Sequence, residues 1–482
     1  MAAAITAKRR LIHTHHNGLG KASSQFTLRA QEKKARVPGP DISDPLPPAD
    51  ARANGDASDL QAVAVEETVA PLAPAAIAMP RVLRALRNPQ YRYFWLGNFL
   101  SNVGTWMQNV AQGWLVLELS NSAFWLGVVG FAASAPMLVF SLVGGVIADR
   151  VDRRRMLIRT QTAMMVFAFI MAGLSYARII NVPEIVLLAF ATGVAMSLNM
   201  PSYQALVPQL VPREDLTNAI GLNSAQFNLS RIIGPSIGGF VMAWLGVSTN
   251  FLLNGISFLA LLVVLVRMKL PAPEPDDSSA TMWQRLAEGF RYVLDHQEMS
   301  ALLTLVALAS IFGIPYLMFM PYFARDVLNV GPRGLGLLLA FSGFGSLGAA
   351  TTVAYLGVTG LRRSGRLLVA SGSVFFVSVI VFTFSRNFYA SCGLLALAGY
   401  STILMVAIVN TLLQHLSADE MRGRVMSIYI MALLGFAPVG SLIAGSLSGV
   451  VGAPHAIAGM SALALIGTLA LYFVRPELRG LN

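Results

Sequence analysis

The stretch Gly145–Arg155, which reads GVIADRVDRRR, separates two long apolar segments of the chain. These segments cover Phe124–Val146 and Met156–Tyr176, and each can cross a bilayer as a helix, which takes about 20 residues. A short arginine-rich loop between two such helices is typical of the cytoplasmic face of a membrane. Asp149 lies at the end of the first helix, and the glycine and alanine before it allow a neighbouring helix to approach closely. We therefore predict a helical hairpin with a movable joint at this loop.

The composition of the whole chain is that of a membrane protein. Of its 482 residues, 55% are hydrophobic and 12% are charged, whereas a soluble protein carries about 25% charged residues. The net charge of +11 comes from arginines at the ends of spans, so we expect no nucleic-acid partner. The single cysteine, Cys392, excludes an intramolecular disulfide and a multi-cysteine metal site. The six histidines lack ligand spacing and no phosphate-binding GxxxxGK[ST] loop occurs, so we expect no metal, no cofactor and no enzyme.

Segments of membrane-spanning length recur twelve times, and they alternate in the charge of the loops that follow them. They are Tyr91–Leu119, Ala123–Asp149, Met156–Arg178, Pro183–Leu210, Leu216–Leu245, Ser248–Arg267, Met299–Asp326, Gly334–Leu356, Leu367–Phe384, Phe388–His415, Arg424–Val450 and Pro454–Val474. Basic residues concentrate after the even-numbered spans. Because such residues mark cytoplasmic loops, we predict a multi-pass protein of a bacterial inner membrane with both termini in the cytoplasm.

Two segments outside the spans have a different composition. Residues 1–80 are basic at first and then rich in alanine and proline, and they cannot bury enough apolar surface to offset their ordering entropy. We predict a disordered cytoplasmic tail; a transit peptide and a wrongly assigned start codon are the alternatives. Residues 271–297 form a cytoplasmic linker, in which 282–294 has one apolar face and is expected to lie as an amphipathic helix at the membrane surface.

The chain contains an internal repeat. Five residues recur at one fixed offset, namely Leu210, Glu214, Gly234, Gly239 and Gly246 as Leu416, Glu420, Gly440, Gly445 and Gly452. Around the arginine-rich loops, Leu126-Gly127 and Arg153-Arg154 match Leu335-Gly336 and Arg362-Arg363. Two like halves of six spans, residues 81–270 and 298–482, are typical of a transporter whose halves rock around a central site.

Polar side chains follow one face of the first span. At 100° per residue a single arc holds Asn98, Ser101, Asn102, Thr105, Gln108, Asn109 and Gln112. Amides in lipid need a partner or water, so the arc either binds other helices or lines a cavity. Polar contact between helices needs only one or two such residues, so the long stripe favours a cavity wall. Asn199, Ser202 and Tyr203 of the fourth span are expected to face the same cavity.

Arg231 lies in the middle of the fifth span, where a charged residue costs about 2.5–3.5 kcal/mol on insertion. It is at least about two turns from either end of the span, so its side chain does not reach the surface easily. We therefore predict that it points into the protein and meets anionic groups of a substrate or pairs with a carboxylate. Snorkelling to the membrane surface is the alternative.

The arginine-rich loop contains an acid that membrane orientation does not explain, because acidic residues contribute little to orientation. We predict that Asp149 caps a helix or forms an ion pair at a cytoplasmic gate, and that Glu214 and Asp215 of the next cytoplasmic loop join it. The other predicted gate residues are Gly145, Arg150, Arg153 and Arg154.

Several motifs resemble those of one transporter superfamily. The signature after the second helix of the major facilitator superfamily fits Gly145, Ala148, Asp149, Arg150, Arg153, Arg154 and Leu157. The antiporter motif of proton-coupled exporters resembles Gly221, Gly234, Pro235, Gly238 and Gly239 of the fifth span. Asp152 and Ser230 each stand where glycine is usual in these motifs. Three stretches are similar to the enterobactin-exporter and macrolide-efflux branch, also called transmembrane secretion effectors: Trp106–Leu119, Val211–Pro235 and Asp419–Ser427.

The resemblance covers the chain from Arg84 to about Val474. It implies an all-α membrane protein with the major facilitator fold, twelve helices in two pseudo-symmetric halves of six. It also implies proton-coupled efflux of a siderophore or drug by alternating access, with a small-molecule substrate, protons and membrane lipids as partners. Uptake or lipid flipping by the same fold, and a non-transporting membrane scaffold or sensor, are the alternatives.

Overall fold

A computed structural model describes residues 81–150, 152–268, 282–360 and 364–480 of the protein. Within these ranges it does not describe the side chains of residues 81–82, 139, 141–150, 282–286, 356–360 and 364. Every regular element in the described ranges is a helix. The predicted tail, residues 1–80, lies outside the described residues. Residues 269–281, which include the first part of the predicted linker, also lie outside them.

Six long helices form the first half of the described chain. They are α1 (Pro89–Ser120), α2 (Ala123–Arg150), α3 (Arg153–Tyr176), α4 (Val182–Leu206), α5 (Leu216–Leu245) and α6 (Val247–Arg267). Helix α1 begins after Asn88, whose side chain accepts a hydrogen bond from the Gln90 backbone N–H, and Pro89 occupies the first helical position. Helices α5 and α6 are joined by Gly246 alone, at a φ of 85° that favours glycine.

The second half repeats this arrangement after a short helix, α7 (Met282–Asp295). Its long helices are α8 (Gln297–Val327), α9 (Gly331–Gly360), α10 (Ser364–Phe384), α11 (Phe388–Leu416), α12 (Arg422–Val451) and α13 (Ala453–Val474). Gly452 joins α12 to α13 at a φ of 81°, as Gly246 does in the first half. Helix α8 contains π-helical turns at Ala309–Gly313 and Phe323–Val327, with a 3₁₀ segment, Ile314–Phe319, between them, and α12 contains a π-helical turn at Met431–Gly435.

Each of the twelve predicted spans falls on one of these long helices. Within the described residues, nine helices are long and apolar enough to cross a membrane: α3, α4, α6 and α8 to α13. Helices α1 and α5 are 32 and 30 residues long but are not among the nine, because polar residues interrupt their apolar surface. The apolar part of α2 that could be searched is the shorter stretch Ala123–Leu138.

The helix contacts follow the internal repeat. Helix α1 packs against α5 and α6, and α8 correspondingly packs against α12 and α13. The halves meet along α5 with α9 and along α2 with α12. A Cβ atom added at Gly239 would lie 2.9 Å from the Cα of Gly336, and one added at Gly445 would lie 2.9 Å from the Cα of Gly127. The repeated glycines therefore make equivalent close contacts between the halves.

The two ends of the bundle differ in how the halves meet. We call the end with the loop after α2 the arginine-rich end, and the end with the turns after α1 and α5 the opposite end. The glycine contacts between the halves lie near the opposite end. There Arg325 Nη1, from the end of α8, also donates a hydrogen bond of 2.7 Å to the Leu117 carbonyl of α1.

Candidate substrate cavity

A cavity of about 760 Å³ lies within the first half of the molecule. All the residues described as lining it belong to helices α1 to α6 or to the segment after α4. It extends from Gln112 of α1 to Val207 and Pro208, which lie at the arginine-rich end. Its volume is in the range of about 300–1,000 Å³ that small-molecule sites occupy.

The polar stripe of α1 forms one wall of this cavity. Every residue of the predicted stripe lines it: Asn98, Ser101, Asn102, Thr105, Gln108, Asn109 and Gln112. The helical repeat aligns these positions over four turns, so one helix supplies a continuous strip of hydrogen-bonding groups. Asn199 and Tyr203 of α4 line the same cavity. Two predicted cavity residues are not among those that line it: Arg231, and Ser202 of α4, which is fully buried and donates to the Leu198 carbonyl of its own helix.

Hydrogen bonds between helices hold several of these amides in place. Asn98 Nδ2 donates to Tyr203 Oη and to Gln226 Oε1, both at 3.1 Å. On the α6 side, Asn254 Nδ2 donates to Gln108 Oε1 at 2.7 Å. Side chains with such partners keep fixed orientations and present a defined polar surface to whatever enters the cavity.

The structure adds wall residues that the sequence prediction missed. Gln161 and Met164 of α3 and Asn254 of α6 line the cavity, as does Phe227 of α5. A signal was available for Asn254, since Asn250 lies one turn before it in an otherwise apolar helix. A single glutamine such as Gln161 produces no periodic pattern and so gave no comparable signal.

Arg231 lies apart from the cavity. It is partly buried between the halves, where its Nη2 donates to Ser346 Oγ of α9 at 2.9 Å. Position 231 continues the cavity face of α5 one turn beyond Phe227, but α9 covers that turn, because Ile232 packs against Gly343. The described hydrogen-bond partner of the Arg231 guanidinium is thus a hydroxyl group. The sequence had predicted a carboxylate partner or a position facing a substrate.

The predicted antiporter motif forms close helix packing. A Cβ atom added at Gly234 would lie 2.8 Å from the Val103 carbonyl oxygen of α1, and one at Gly238 would lie 3.1 Å from the Met107 Cα. Pro235 lies inside α5, and its carbonyl oxygen faces α9. Gly239 makes the contact to α9 described above, whereas Gly221 faces open space. A role of these residues in antiport stays a prediction.

The predicted gate is described only in part. Gly145, Asp149 and Arg150 belong to helix α2, but their side chains lie outside the described residues. Arg153 Nη1 donates to the Ala205 carbonyl at the end of α4, and Arg154 Nε donates to the Leu265 carbonyl near the end of α6. These bonds satisfy carbonyl groups that a helix end leaves without partners.

Glu214 and Asp215, which the sequence predicted to join the gate, form ion pairs with an arginine outside it. Arg84 lies in a short 3₁₀ helix, Arg81–Arg87, that precedes α1. Its guanidinium forms ion pairs with Glu214 at 2.9 Å and with Asp215 at 2.8 Å. The acids of this loop therefore join the start of α5 to the segment before α1.

The chemistry available in the cavity is binding. None of the side chains described along its walls is charged, and in the described ranges no three histidines, cysteines or acids lie together as they would to hold a metal ion. Amides, a phenol and apolar side chains form hydrogen bonds and contacts, and they provide no nucleophile with an adjacent base.

A helical bundle of two repeated halves with a polar cavity of this size is typical of a membrane transporter. The sequence model of transmembrane secretion effectors matches residues 81–480. The chain belongs to the transmembrane secretion effector family, whose members and relatives are transporters and not enzymes. The resemblance noted from the motifs is thereby confirmed.

Relatives of known name are transporters too. The chain is 26% identical over 398 residues to the staphyloferrin A transporter of Staphylococcus aureus, covering 80% of this chain and 97% of the relative. It is 28% identical over 397 residues to the multidrug efflux pump Tap of Mycolicibacterium fortuitum, covering 79% and 94%. It is 27% identical over 401 residues to the enterobactin exporter EntS of Salmonella typhi, covering 81% and 94%.

Solved structures share the fold. A bacterial homologue of the human lysosomal transporter Spinster, in an inward-facing and unoccupied conformation, aligns with a TM-score of 0.63 at 13% identity, covering 83% of this chain and 98% of that one. A bacterial homologue of the iron transporter ferroportin, in an inward-facing state, aligns with a TM-score of 0.63 at 14% identity, covering 81% and 98%. The prediction of an all-α, major facilitator fold is confirmed.

Proposed function

We propose that this protein exports a small organic molecule, of the siderophore or drug type, across the bacterial inner membrane in exchange for protons. The observation that carries the proposal is the polar cavity of about 760 Å³ in the first half, which reaches the arginine-rich end of the bundle. In the predicted orientation this end faces the cytoplasm, so the cavity takes up its substrate from inside the cell.

Alternating access follows from the way the halves meet. Contacts across α2 with α12 and across α5 with α9 close the opposite end, and the glycine pairs there leave little space between backbones. Export requires these contacts to open while the arginine-rich end closes. In this proposal residues 81–270 and 298–482 are the two rocking units, residues 271–297 are the cytoplasmic linker and residues 1–80 are the tail.

Helix α7, within the proposed linker, is attached to the second half. Arg424 Nη1 at the start of α12 forms an ion pair with Glu288 of α7 at 2.7 Å. The Ala418 backbone N–H, just before α12, donates to Tyr292 Oη of α7 at 3.3 Å. A helix held in this way moves with α12.

Export, and not uptake, is favoured by the glycine pattern of α5 and by relatives that are an enterobactin exporter and a multidrug efflux pump. The described cavity walls carry no carboxylate, so the coupling proton binds elsewhere. The candidate for it is Glu118, exposed near the opposite end of α1, whereas Asp149 is proposed as a residue of the cytoplasmic gate.

Transport into inverted membrane vesicles tests direction and coupling together. Vesicles containing the protein, with an acidified interior, should accumulate enterobactin, staphyloferrin A or the dye N-phenyl-1-naphthylamine above the level in vesicles without it. A protonophore should abolish the accumulation. Uptake into right-side-out vesicles that ignores the proton gradient would reject the proposal.

A further inference from the structure

We infer that the cavity holds its substrate in an electrically neutral form, bound by amides and by methionine and phenylalanine side chains that lie among them along the walls. The inference rests on the proposed transport function and names the class of substrate. Its starting point is that the side chains described along the cavity include no aspartate, glutamate, lysine, arginine or histidine.

A charged substrate would lack compensation in such a cavity. Taking an ion out of water costs far more than taking out a neutral polar group, unless an opposite charge meets it. Among the described residues, Arg231 is a basic residue in the middle of a cavity helix, α5. It donates to Ser346, and Ser346 is only 2% exposed, so the guanidinium is directed into the contact between the halves.

Two amide side chains at the cavity each have a polar atom without a described hydrogen-bond partner. Gln161 lines the cavity and is 5% exposed, yet its Oε1 has no partner within the described residues. Gln226, at 1% exposure beside the wall, uses its Oε1 to accept from Asn98, and its Nε2 has no described partner. Buried polar atoms of this kind destabilise a protein unless something bonds to them. Hydroxyl or amide groups of a neutral ligand meet that need at Gln161.

The apolar residues of the cavity lining can adjust their shape to a ligand. Met164 of α3 and Met196 and Met200 of α4 line the cavity, together with Phe227 and Phe258. Methionine side chains are flexible and polarizable, so they fit apolar bodies of different shape. Aromatic rings add large contact areas. The walls thus suit a neutral molecule with a ring or chain body and a few hydroxyl or amide groups.

Binding to purified protein in lipid nanodiscs tests the inference without any ion gradient. Two pairs of probes share a body and differ in charge: chloramphenicol with its hemisuccinate, and N-phenyl-1-naphthylamine with 8-anilinonaphthalene-1-sulfonate. We expect the neutral member of at least one pair to bind about tenfold or more tightly than its anion, a difference of about 1.4 kcal/mol. Equal or tighter binding of the anions overturns the inference, and so does a lack of binding by both neutral probes.

Two variants separate charge from hydrogen bonding. Asn102→Lys places a cation in the wall and should reverse the preference toward the hemisuccinate, whereas Gln414→Lys, on the exposed surface of α11, should keep it. Gln161→Leu should weaken chloramphenicol binding several-fold without lowering the melting temperature, because the lost amide oxygen has no described partner in the protein. Gln414→Leu, the same change on exposed α11 surface, should alter neither. An unchanged preference in Asn102→Lys would overturn the inference.

Failure of the transport proposal gives a different result. A protein that binds the neutral probes selectively but does not move them into acidified inverted vesicles retains the neutral cavity and loses the export function. A protein that exports enterobactin only as its anion retains the export function and loses the neutral cavity.

Discussion

The two halves of this protein share their helix contacts but differ in what fills them. The interior of the first half holds a cavity lined by amides of α1, α3, α4 and α6. The corresponding interior of the second half is packed with aromatic rings, of which Phe319, Phe323, Phe375, Phe376 and Phe382 are at most 1% exposed. A repeated topology therefore does not imply repeated packing, and the proposed binding surface lies in the first half.

The contacts between the halves show a second asymmetry. Both use glycine pairs, Gly239 with Gly336 and Gly127 with Gly445. At the contact between α5 and α9 a charged group is added, Arg231, whereas the repeat places an alanine, Ala437, at the equivalent position of α12. The two rocking surfaces thus differ in polarity, and the one with Arg231 adjoins the cavity helix α5.

The largest effect is expected from removing aromatic volume in the second half. Phe376→Ala should destabilise the protein by about 3–5 kcal/mol, since the ring is fully buried and packs on Phe375 at a centroid distance of 4.9 Å. Phe258→Ala in the first half should cost less than half as much, because its ring already borders the cavity. Thermal unfolding in detergent measures both, and equal losses would mean that the two interiors are equally packed.

The next effect concerns the glycine contacts. Gly239→Leu should lower transport at least about tenfold, because the new side chain would start 2.6 Å from the Pro332 carbonyl oxygen and prevent closure of the opposite end. Gly221→Leu on the same helix meets open space and should leave transport within about twofold. Vesicle uptake distinguishes them, and a normal rate in Gly239→Leu would show that the close contact is dispensable.

A third comparison is between the two arginine-rich loops. The second loop keeps its arginines but has Val358 at the position equivalent to Asp149. Asp149→Asn should slow transport roughly tenfold while substrate binding and membrane insertion stay nearly intact, because a gating contact changes the balance of conformations. Val358→Ala should have little effect. Turnover equal to that of the unaltered protein in Asp149→Asn would contradict a gate at this residue.

The smallest effect is expected at the hydrogen bond between Arg231 and Ser346. Arg231→Lys keeps the charge but loses the planar guanidinium, and Ser346→Ala removes the acceptor. Each should slow transport about fivefold, and the double variant should be no slower than the single ones, because both remove the same bond. Chloramphenicol affinity should not change. Additive losses, or weaker binding in Arg231→Lys, would place the arginine in the binding surface.

The sequence alone determined those features of this protein that depend on residues close together in the chain. The long apolar segments coincide with long helices, and nine of the described helices are long and apolar enough to cross a membrane, because crossing requires a continuous run of residues. The stripe of α1 identified one cavity wall, since a helix places residues of one period on one face. Of the glycines in the repeat, Gly239 and Gly445 lie at the contacts between the halves.

Only the tertiary structure decided what depends on the relation between helices. Arg231 has a serine partner from α9, and Gln161 is the polar residue of α3 that is described as lining the cavity. A single polar residue has no period, and its partner is chosen by packing between segments far apart in the chain. The same reason explains why the described aromatic rings of the second half pack closely whereas the first half encloses a cavity, since the space between helices depends on all the side chains that meet there.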